Sequence, residues 1–249
     1  MTVSRKHLKR ELGNMPKAVF FDFDGTLAPG NASLELMSYL AEIKVFPKKQ
    51  HAIILQTVDN YKNGKVSYDG LCMDVGVAWA DGMKGKEEGW IRYHAKQVFN
   101  RFIPKIYDSS FELVELFAAN SYTTLIVSSG AHEINSLAAK ALGMKELYCT
   151  ELEVINGIYT GRVKADRSIA ERKAEVITSM RKRFDLGRSF AFGDSVTDEK
   201  VLSKVGTPVA LNPSKELEML ARDNKWKICT HEDVVAEIGN MINLIIRGP

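Results

Sequence analysis

The sequence predicts an α/β fold, in which a mostly parallel β-sheet carries helices on both faces. Short, fully apolar strand patterns alternate with amphipathic helical patterns at both ends of the chain, and such alternation is typical of βαβ units. Two departures from the alternation predict additions to this fold, a long helical insertion and a β-hairpin. With 249 residues, of which 45% are hydrophobic and 26% charged, the chain can form one large domain or a core with a smaller inserted domain.

The strands of the sheet are expected at short apolar runs without a polar face, which suits strands that are buried on both sides. These runs cover residues 17–23, 122–127, 189–193, 207–211 and 226–228. Helices are expected between them at residues 110–119, 131–142, 167–184, 196–204, 214–223 and 231–246. Ser109 and Glu112 have the spacing of a capping box for the first of these helices, and Gly143 is placed to end the second.

Residues 29–108 predict an all-helical insertion, because apolar residues recur there at helical spacing and no convincing strand is present. Residues 148–163 predict a β-hairpin, since Asn156-Gly157 separates two β-rich runs. We therefore expect a core formed by residues 17–28 and 109–249, a helical cap domain at 29–108, and a basic N-terminal extension at 1–16.

The charge pattern argues against a nucleic-acid-binding protein and against a membrane protein. The net charge is only +3, and five basic residues lie within residues 1–17 beside a single acid, so the rest of the chain is close to neutral. No apolar run approaches the roughly 20 residues of a membrane span, and no apolar signal region follows the basic start. Three widely spaced cysteines fit a reducing cytoplasm. We expect a cytoplasmic protein, and the oligomeric state stays open.

Acids and small residues follow three of the predicted strands. In open parallel sheets, ligands bind outside the carboxyl ends of the strands. Each group alone is an ordinary turn or helix-cap signal, but their coincidence at corresponding strand ends indicates a site. The residues concerned are Asp22 and Asp24 after the first strand, Ser128-Ser129-Gly130 after the second, and Asp194 and Asp198 after a later one.

The spacing of the first acids excludes an EF-hand. In a calcium loop that began at Asp22, glycine would fall at position 4 instead of 6, and Ser33 would stand where a glutamate is required. A strand also precedes Asp22, where an EF-hand has a helix.

Four groups of residues resemble, in order, the four motifs of the haloacid dehalogenase superfamily, whose members have a Rossmann-like core. They are Asp22-Phe23-Asp24-Gly25-Thr26, then Leu125-Ile126-Val127-Ser128, then a lysine, and finally Gly193-Asp194 with Asp198. The helical insertion after the first motif and the hairpin before the lysine resemble the phosphoserine-phosphatase-like subfamily (subfamily IB). The resemblance covers the chain from about Lys17 to its C-terminus.

This resemblance implies a phosphatase acting on a small phosphorylated metabolite. Asp22 is implied as the nucleophile that forms an aspartyl-phosphate, and Asp24 as the general acid and then the general base. The second acid separates this chain from the dehalogenases and phosphonate-cleaving members, which lack it. P-type pumps have a lysine directly after the nucleophile, where this chain has Phe23.

The resemblance also implies Mg²⁺ as cofactor and assigns the residues around the phosphate. The metal set is Asp22, Asp24 through its carbonyl, Asp194 and Asp198, of which Asp198 is expected to orient a water or the lysine. The phosphate-binding set is Ser128, Ser129, Gly130, Lys173 and Thr197. Lys173 is preferred to Lys164 as the motif lysine, because its distance in sequence from Asp194 and the helix start that follows it match the family better.

Two departures leave the substrate open. Phosphoserine phosphatases carry a glutamate where this chain has Asn31, with Glu35 one turn further on, and an asparagine where it has Thr197. Phosphoserine-like compounds, phosphocholine or phosphoethanolamine, and sugar or polyol phosphates all remain candidates. Trp79, Trp90, Tyr93 and His94 could form an aromatic wall for a quaternary amine or simply the core of the cap. A phosphotransferase or mutase, or a non-catalytic binding protein, are the alternative functions.

Overall fold

The structure is a computed structural model that describes residues 15–247. Within these residues the chain forms one seven-stranded sheet with the spatial order β4-β3-β2-β1-β5-β6-β7, in which only the β3–β4 pair is antiparallel. The strands are β1 (Lys17–Phe21), β2 (Tyr122–Ala131), β3 (Glu146–Ile155), β4 (Ile158–Ala165), β5 (Phe190–Gly193), β6 (Thr207–Leu211) and β7 (Lys227–Cys229).

Ten α-helices accompany the sheet within the described residues. Five lie between β1 and β2, and the last of these packs on the sheet: α1 (Ala32–Glu42), α2 (Lys48–Lys62), α3 (Tyr68–Met83), α4 (Glu88–Phe102) and α5 (Asp108–Ala119). The others are α6 (His132–Ala141), α7 (Ala170–Ser179), α8 (Glu199–Leu202), α9 (Lys215–Asp223) and α10 (Val234–Arg247). The α/β fold class with its helical insertion is confirmed.

Helices cover both faces of the sheet, as the apolar strands require. Successive residues of β1 belong to two different core clusters: Val19 and Phe21 to one, Ala18 and Phe20 to the other. This division follows from the period of two in a strand, which sends neighbouring side chains to opposite faces. Helices α5 and α10 contribute to the first cluster, and α7, α8 and α9 to the second. The first cluster continues without a break into the helices between β1 and β2.

The predicted hairpin is present between β3 and β4. Asn156 and Gly157 have φ angles of 51° and 78°, the left-handed values that this two-residue turn requires. The backbone of the α3–α4 connection is bonded to the hairpin: the Gly85 N–H donates to the Tyr159 carbonyl at 2.8 Å, and the Glu88 N–H to the Gly157 carbonyl at 2.7 Å. The hairpin therefore reaches the helices inserted after β1.

Several predicted boundaries differ from the observed ones. The capping box at Ser109 is wrong: α5 begins at Asp108, Tyr107 is its N-cap, and no side chain caps it, while the Ser109 hydroxyl pairs with His231. The helix predicted at 196–204 is a short 3₁₀ turn followed by the four-residue α8, because the chain there packs around Asp198. Gly143 does follow α6 with a φ of 70°, as predicted. No helix among the residues that the structure describes has the length and apolar character needed to cross a membrane.

Candidate active site

The first acidic pair lies at the carboxyl end of the central strand. β1 ends at Phe21, two residues earlier than predicted, and the Asp22 N–H still donates to the Phe192 carbonyl of β5 at 3.1 Å. Phe21 and Phe23 are fully buried, so the intervening Asp22 points to the opposite side. Because β1, β2 and β5 are parallel and in register here, the ends of all three strands meet at one edge.

Three carboxylates form a close cluster at this edge. Asp22, Asp194 and Asp198 each place an oxygen atom within 4.8 Å of the others. Thr26 fixes one of them, since its hydroxyl donates to Asp194 Oδ1 at 2.8 Å. Gly25 permits this approach: its φ is +96°, and a Cβ atom there would lie 2.5 Å from Asp194 Oδ2. The turn after β1 thus brings the first and last acidic motifs into contact.

Lys173 is the cation of the cluster. Its side chain is 3% exposed, and its Nζ donates to Asp22 Oδ1 and to Asp198 Oδ1, both at 2.8 Å. Burial disfavours its charged form, but Asp198 and Asp22 outweigh this and raise the pKa of Lys173 well above its ordinary value. Lys164, the other lysine that the sequence offered, lies on the surface and pairs with Glu151 at 2.9 Å. The structure therefore brings Lys173, and not Lys164, to the acids.

The two acids of the first motif have different surroundings. Asp22 is in the cluster, where burial raises the pKa of its carboxyl, Lys173 lowers it, and Asp198 and Asp194 raise it. Asp24 accepts a hydrogen bond from the Ala32 N–H at 2.8 Å, at the start of α1. Burial raises the pKa of Asp24 to about 7, against the opposing effects of the Ala32 N–H and Lys173. Asp24 therefore titrates near neutral pH.

The predicted phosphate loop lies at the carboxyl end of β2, which extends four residues beyond the predicted 122–127 and has a register shift after Val127. Ser128 is 1% exposed, and its Oγ accepts hydrogen bonds from the Gly130 N–H at 3.0 Å and from Asn135 Nδ2 at 3.1 Å. The Ser129 hydroxyl lies 3.1 Å from that of Tyr68 in α3. A Cβ atom at position 130 would lie 2.5 Å from Asn135 Nδ2, so only glycine fits there.

The loop after β5 places Thr197 and Asp198 differently. Asp198 is buried, and its Oδ2 accepts from the Ser195 N–H at 3.3 Å, while its Oδ1 accepts from Lys173. The Thr197 hydroxyl lies 2.5 Å from that of Ser195. The contact that the structure gives Thr197 is thus within its own turn, whereas Lys173, Asp194 and Asp198 lie around Asp22.

The donor set fits a hard divalent cation such as Mg²⁺. Four acids face one ammonium at this edge, and burial together with repulsion from Asp198 raises the pKa of Asp194 to about 6. Such crowding is relieved by a cation that takes carboxylate oxygens. Both oxygens of Asp198 already accept hydrogen bonds, which leaves Asp22 and Asp194 better placed as direct ligands.

Four residues of the site carried no role in the sequence-based prediction. Thr26 holds Asp194, and Asn135 holds Ser128 from α6. The Ser33 hydroxyl accepts from the Ala131 N–H at 2.8 Å, which ties α1 to the phosphate loop, and Tyr68 reaches the same loop from α3. Thr26 lies within the first motif. No local pattern marks the other three: Tyr68 and Ser33 contact residues 61 and 98 positions away in sequence, and Asn135 reaches Ser128 from α6.

The residues at which the chain departs from phosphoserine phosphatases have structural roles here. The Asn31 side chain caps α1 by accepting from the Leu34 N–H at 2.9 Å. Glu35 forms a surface ion pair with Lys105 at 2.7 Å.

The conspicuous aromatic residues of the insertion do not form one wall. Trp90 and Tyr93 stack on each other in α4, are 53% and 56% exposed, and do not line the cavity beside the phosphate loop. Trp79 is buried, contacts Phe46, and does line this cavity.

Known proteins share this sequence pattern and fold. A model of the haloacid dehalogenase-like hydrolase family matches residues 19–203. A phosphoserine phosphatase of Mycobacterium tuberculosis is 27% identical over 219 residues, covering 86% of this chain and 71% of that protein. A histidinol-phosphatase of Neisseria meningitidis is 25% identical over 224 residues, covering 86% and 98%.

Solved structures agree on the fold. A Bordetella pertussis protein of unknown function superposes with a TM-score of 0.73 at 20% identity, covering 88% of this chain and all of that one. A substrate-bound phosphoserine phosphatase gives a TM-score of 0.62 at 18% identity, covering 87% and 93%. The expected resemblance to the phosphoserine-phosphatase-like members, and the expected class of enzyme, a hydrolase of phosphoric monoester bonds, are confirmed. With the family match spanning most of its length, the chain belongs to the haloacid dehalogenase-like hydrolases.

Proposed function

We propose that the protein is a Mg²⁺-dependent phosphatase that hydrolyses a small phosphomonoester through an aspartyl-phosphate on Asp22. The observation that carries this proposal is the different setting of two neighbouring carboxyl groups. Asp22 lies against Lys173 in the acidic cluster, whereas Asp24 lies at the start of α1 with a pKa of about 7. Two carboxyls in unlike surroundings can take unlike roles in one reaction.

In the first step, a carboxylate oxygen of Asp22 attacks the phosphorus atom of the ester. The bond between phosphorus and the alcohol oxygen breaks, and protonated Asp24 gives its proton to that oxygen. Lys173 stays charged, because its pKa is raised well above the ordinary value, and it offsets the negative charge that gathers beside Asp22. The products of this step are the free alcohol and the phosphorylated Asp22.

In the second step, Asp24 acts as the base. It takes a proton from a water molecule, whose oxygen attacks phosphorus, and the bond to Asp22 breaks. Inorganic phosphate leaves, Asp22 is a carboxylate again, and Asp24 is again protonated. A pKa of about 7 suits both roles, since a group that must donate and accept works best when its pKa lies near the working pH.

The remaining predicted residues bind the phosphate and the cation. Ser128 and the backbone of Ser129 and Gly130 would bind the phosphate, since they precede the N-terminus of α6, which favours an anion. Asp22, Asp194 and the Asp24 carbonyl would hold Mg²⁺, with Asp198 positioning Lys173. When bound, Mg²⁺ neutralises charge on the phosphate and orients it. Thr197, in the turn that carries Asp198, would contact the substrate.

We also propose a division of labour along the chain. Residues 17–28 and 109–249 would form the core that carries the chemistry, and residues 29–108 the cap that covers the site and excludes water. The basic extension at 1–16 lies almost wholly outside the described residues.

The mechanism is tested by Asp22→Asn. An amide in this place cannot act as the nucleophile, so hydrolysis of p-nitrophenyl phosphate in Mg²⁺ should fall to background while circular dichroism stays unchanged. Asp223→Asn, at an exposed acid at the end of α9, is the matched control and should keep full activity. Metal-dependent hydrolysis that survives Asp22→Asn would refute the aspartyl-phosphate mechanism.

A further inference from the structure

A cavity of about 100 Å³ lies between the inserted helices and the phosphate loop. Helices α1, α2 and α3 provide one side of it, and Ser129, Gly130 and Ala131 the other. A cavity of this order accommodates a six-membered ring or a chain of similar size. It is therefore large enough for the alcohol part of a small phosphate ester.

The wall of the cavity at Gly130 is adjacent to Asp24, the acid that would protonate the leaving group. A Cβ atom on Gly130, which lines the cavity, would lie 3.2 Å from Asp24 Oδ2. Tyr68, also in the lining, has its hydroxyl 3.1 Å from Ser129 Oγ. Gly130 thus lies between the cavity and Asp24, and an ester whose phosphate binds at the loop would have its alcohol part directed toward the cavity.

The lining of the cavity carries no charge. Among the described residues that line it there is no Asp, Glu, Lys, Arg or His. The acid in the first turn of α1, Glu35, is paired with Lys105 at 2.7 Å and does not line the cavity. Most of the surface is apolar, and the aliphatic and aromatic lining residues include Leu34, Met37, Val58, Leu71, Val75 and Trp79.

Most polar side chains of the lining already have partners within the protein; among the described lining residues, Trp79 Nε1 is a buried donor without one. Asn31 Oδ1 accepts from the Leu34 N–H, and Ser33 Oγ from the Ala131 N–H. Thr150 Oγ1 accepts from the Arg167 N–H at 3.2 Å, and the Ser168 hydroxyl donates to Asp166 at 2.5 Å. Few hydrogen-bonding groups are therefore left to replace the water around a hydroxyl-rich or charged alcohol, and an ion without a partner is strongly disfavoured in such surroundings.

We propose that the leaving alcohol is uncharged and largely apolar. The substrate class would be phosphomonoesters of small neutral aliphatic or aromatic alcohols, in preference to amino alcohols, amino acids and polyols. This inference rests on the proposed phosphatase function and makes it more specific.

The test compares two esters of the same shape. Phosphocholine and 3,3-dimethylbutyl phosphate differ only in a charged nitrogen in place of a carbon. We expect kcat/KM for the neutral ester to exceed that for phosphocholine on the order of 100-fold, the size of effect that follows from burying an unpaired polar group. Equal values overturn the inference. So does a preference for phosphocholine, which a cation–π site made by Trp79 and Tyr68 would produce.

A charge placed in the cavity supplies the second arm. Val75 lines the cavity, whereas Val77 in the same helix is 62% exposed and does not. Val75→Asp should move the ratio of the two kcat/KM values about tenfold toward phosphocholine, and Val77→Asp should leave it unchanged. Should Val75→Asp not fold, Val58→Asp, which places an acid in the lining from α2, takes its place. An unchanged ratio in a folded lining variant overturns the inference.

The failures of the two proposals are distinguishable. If no ester is hydrolysed, including p-nitrophenyl phosphate, the proposed function falls and this inference with it. If p-nitrophenyl phosphate is hydrolysed in an Asp22-dependent way and phosphocholine or phosphoserine is the better alkyl ester, only the inference falls.

Discussion

At the scale of single residues, Lys173 shows how the site keeps several acids together. Its ammonium is 3% exposed and lies between Asp22 and Asp198, so neither carboxylate is buried without a partner. An uncompensated charge is far more costly in the interior than at the surface. The lysine therefore acts on stability as well as on charge during the reaction.

Replacement of this lysine separates the two contributions. We expect Lys173→Met to lower the free energy of unfolding by about 3 kcal/mol in EDTA, because two buried acids lose their counter-ion. Hydrolysis should fall on the order of 100-fold. Lys164→Met is the matched control: Lys164 pairs with Glu151 on the surface, so Tm and activity should stay at the wild-type level. Equal effects of both substitutions in urea unfolding would contradict the assignment of Lys173.

Gly25 is the second residue on which the site depends. Its φ of +96° disfavours any L side chain, and a Cβ atom would also meet the Asp194 carboxylate. Gly30 has a φ of +79° but nothing within 4 Å of its Cβ position, so it isolates the backbone effect. We expect Gly25→Ala and Gly30→Ala both to lose about 1 kcal/mol in stability from the positive φ.

Only one of these glycine variants should lose activity. Gly25→Ala displaces Asp194, and Mg²⁺-dependent hydrolysis should fall at least about tenfold, with a raised Mg²⁺ requirement. Gly30→Ala should keep wild-type activity. Measuring the rate of hydrolysis by both variants against Mg²⁺ concentration checks this. Equal losses of activity would show that backbone strain, and not displacement of Asp194, lowers the rate in both.

At the scale of elements, α3 reaches the phosphate loop by one side chain. Tyr68 stands in the first turn of α3, and its hydroxyl pairs with Ser129 at 3.1 Å, while burial raises the pKa of the phenol so that it stays neutral. Helix α1 reaches the same loop through Ser33. Two inserted helices are therefore in contact with the residues that would bind the phosphate.

Removal of the Tyr68 hydroxyl tests this contact. Tyr68→Phe removes one hydrogen bond of about 1 kcal/mol, so we expect kcat/KM to fall about fivefold. The neighbouring Tyr61, which contacts the Tyr68 ring and is 39% exposed, gives the same change of side chain away from the loop. Tyr61→Phe should leave the rate unaltered in the same assay, and a Tyr68→Phe enzyme as fast as wild type would speak against a role of α3 at the loop.

The elements also show how far the sequence alone could lead. Strands such as β1 were predictable because a buried parallel strand is a continuous apolar run, and the turn at Asn156-Gly157 because few residue pairs adopt two positive φ angles. The capping box at Ser109 failed because a local spacing cannot reveal that the helix starts two residues earlier than predicted. The helix predicted at 196–204 is too long, because its first turn is a 3₁₀ turn in which distant Lys173 holds Asp198.

The site divides in the same way. The acids were predictable because they follow strands whose ends must meet at one edge, which is a rule of topology. Periodicity could not decide between Lys164, which lies in the hairpin, and Lys173, which follows it. The family resemblance was needed for that choice. Tyr68 and Ser33 were out of reach, because their contacts depend on how the inserted helices pack over the loop.

At the scale of the whole molecule, the buried acids make stability depend on pH and on metal. The pKa of Asp24 is raised to about 7 and that of Asp194 to about 6, so the folded state keeps protons that the unfolded chain has released. These groups therefore contribute stability below about pH 4, and this contribution is lost as the pH rises through 6 and 7. A bound divalent cation requires the deprotonated acids, so its effect runs the other way.

We expect the increase of Tm on addition of Mg²⁺ to be larger at about pH 8 than at about pH 6. Differential scanning calorimetry with Mg²⁺ or EDTA at both values measures it. An Asp194→Asn variant has one ligand fewer, so its Mg²⁺-induced increase should be small at both values. An increase in the wild type that is equal at the two pH values, or larger at the lower one, would contradict the placement of the cation among these acids.

The backbone bonds between the hairpin and the α3–α4 connection have a consequence for turnover. The helices after β1 are held to the sheet by the chain at both of their ends and, in addition, by Gly85, Glu88 and the strand bridge from Glu87 to Ile158. Their apolar core also runs on into that of the sheet. Because of this additional contact, the inserted helices cannot rotate away from the sheet as a unit about their two connecting segments. We therefore expect entry of the ester and release of the alcohol to need local motion of the inserted helices, and not rotation of the whole insertion.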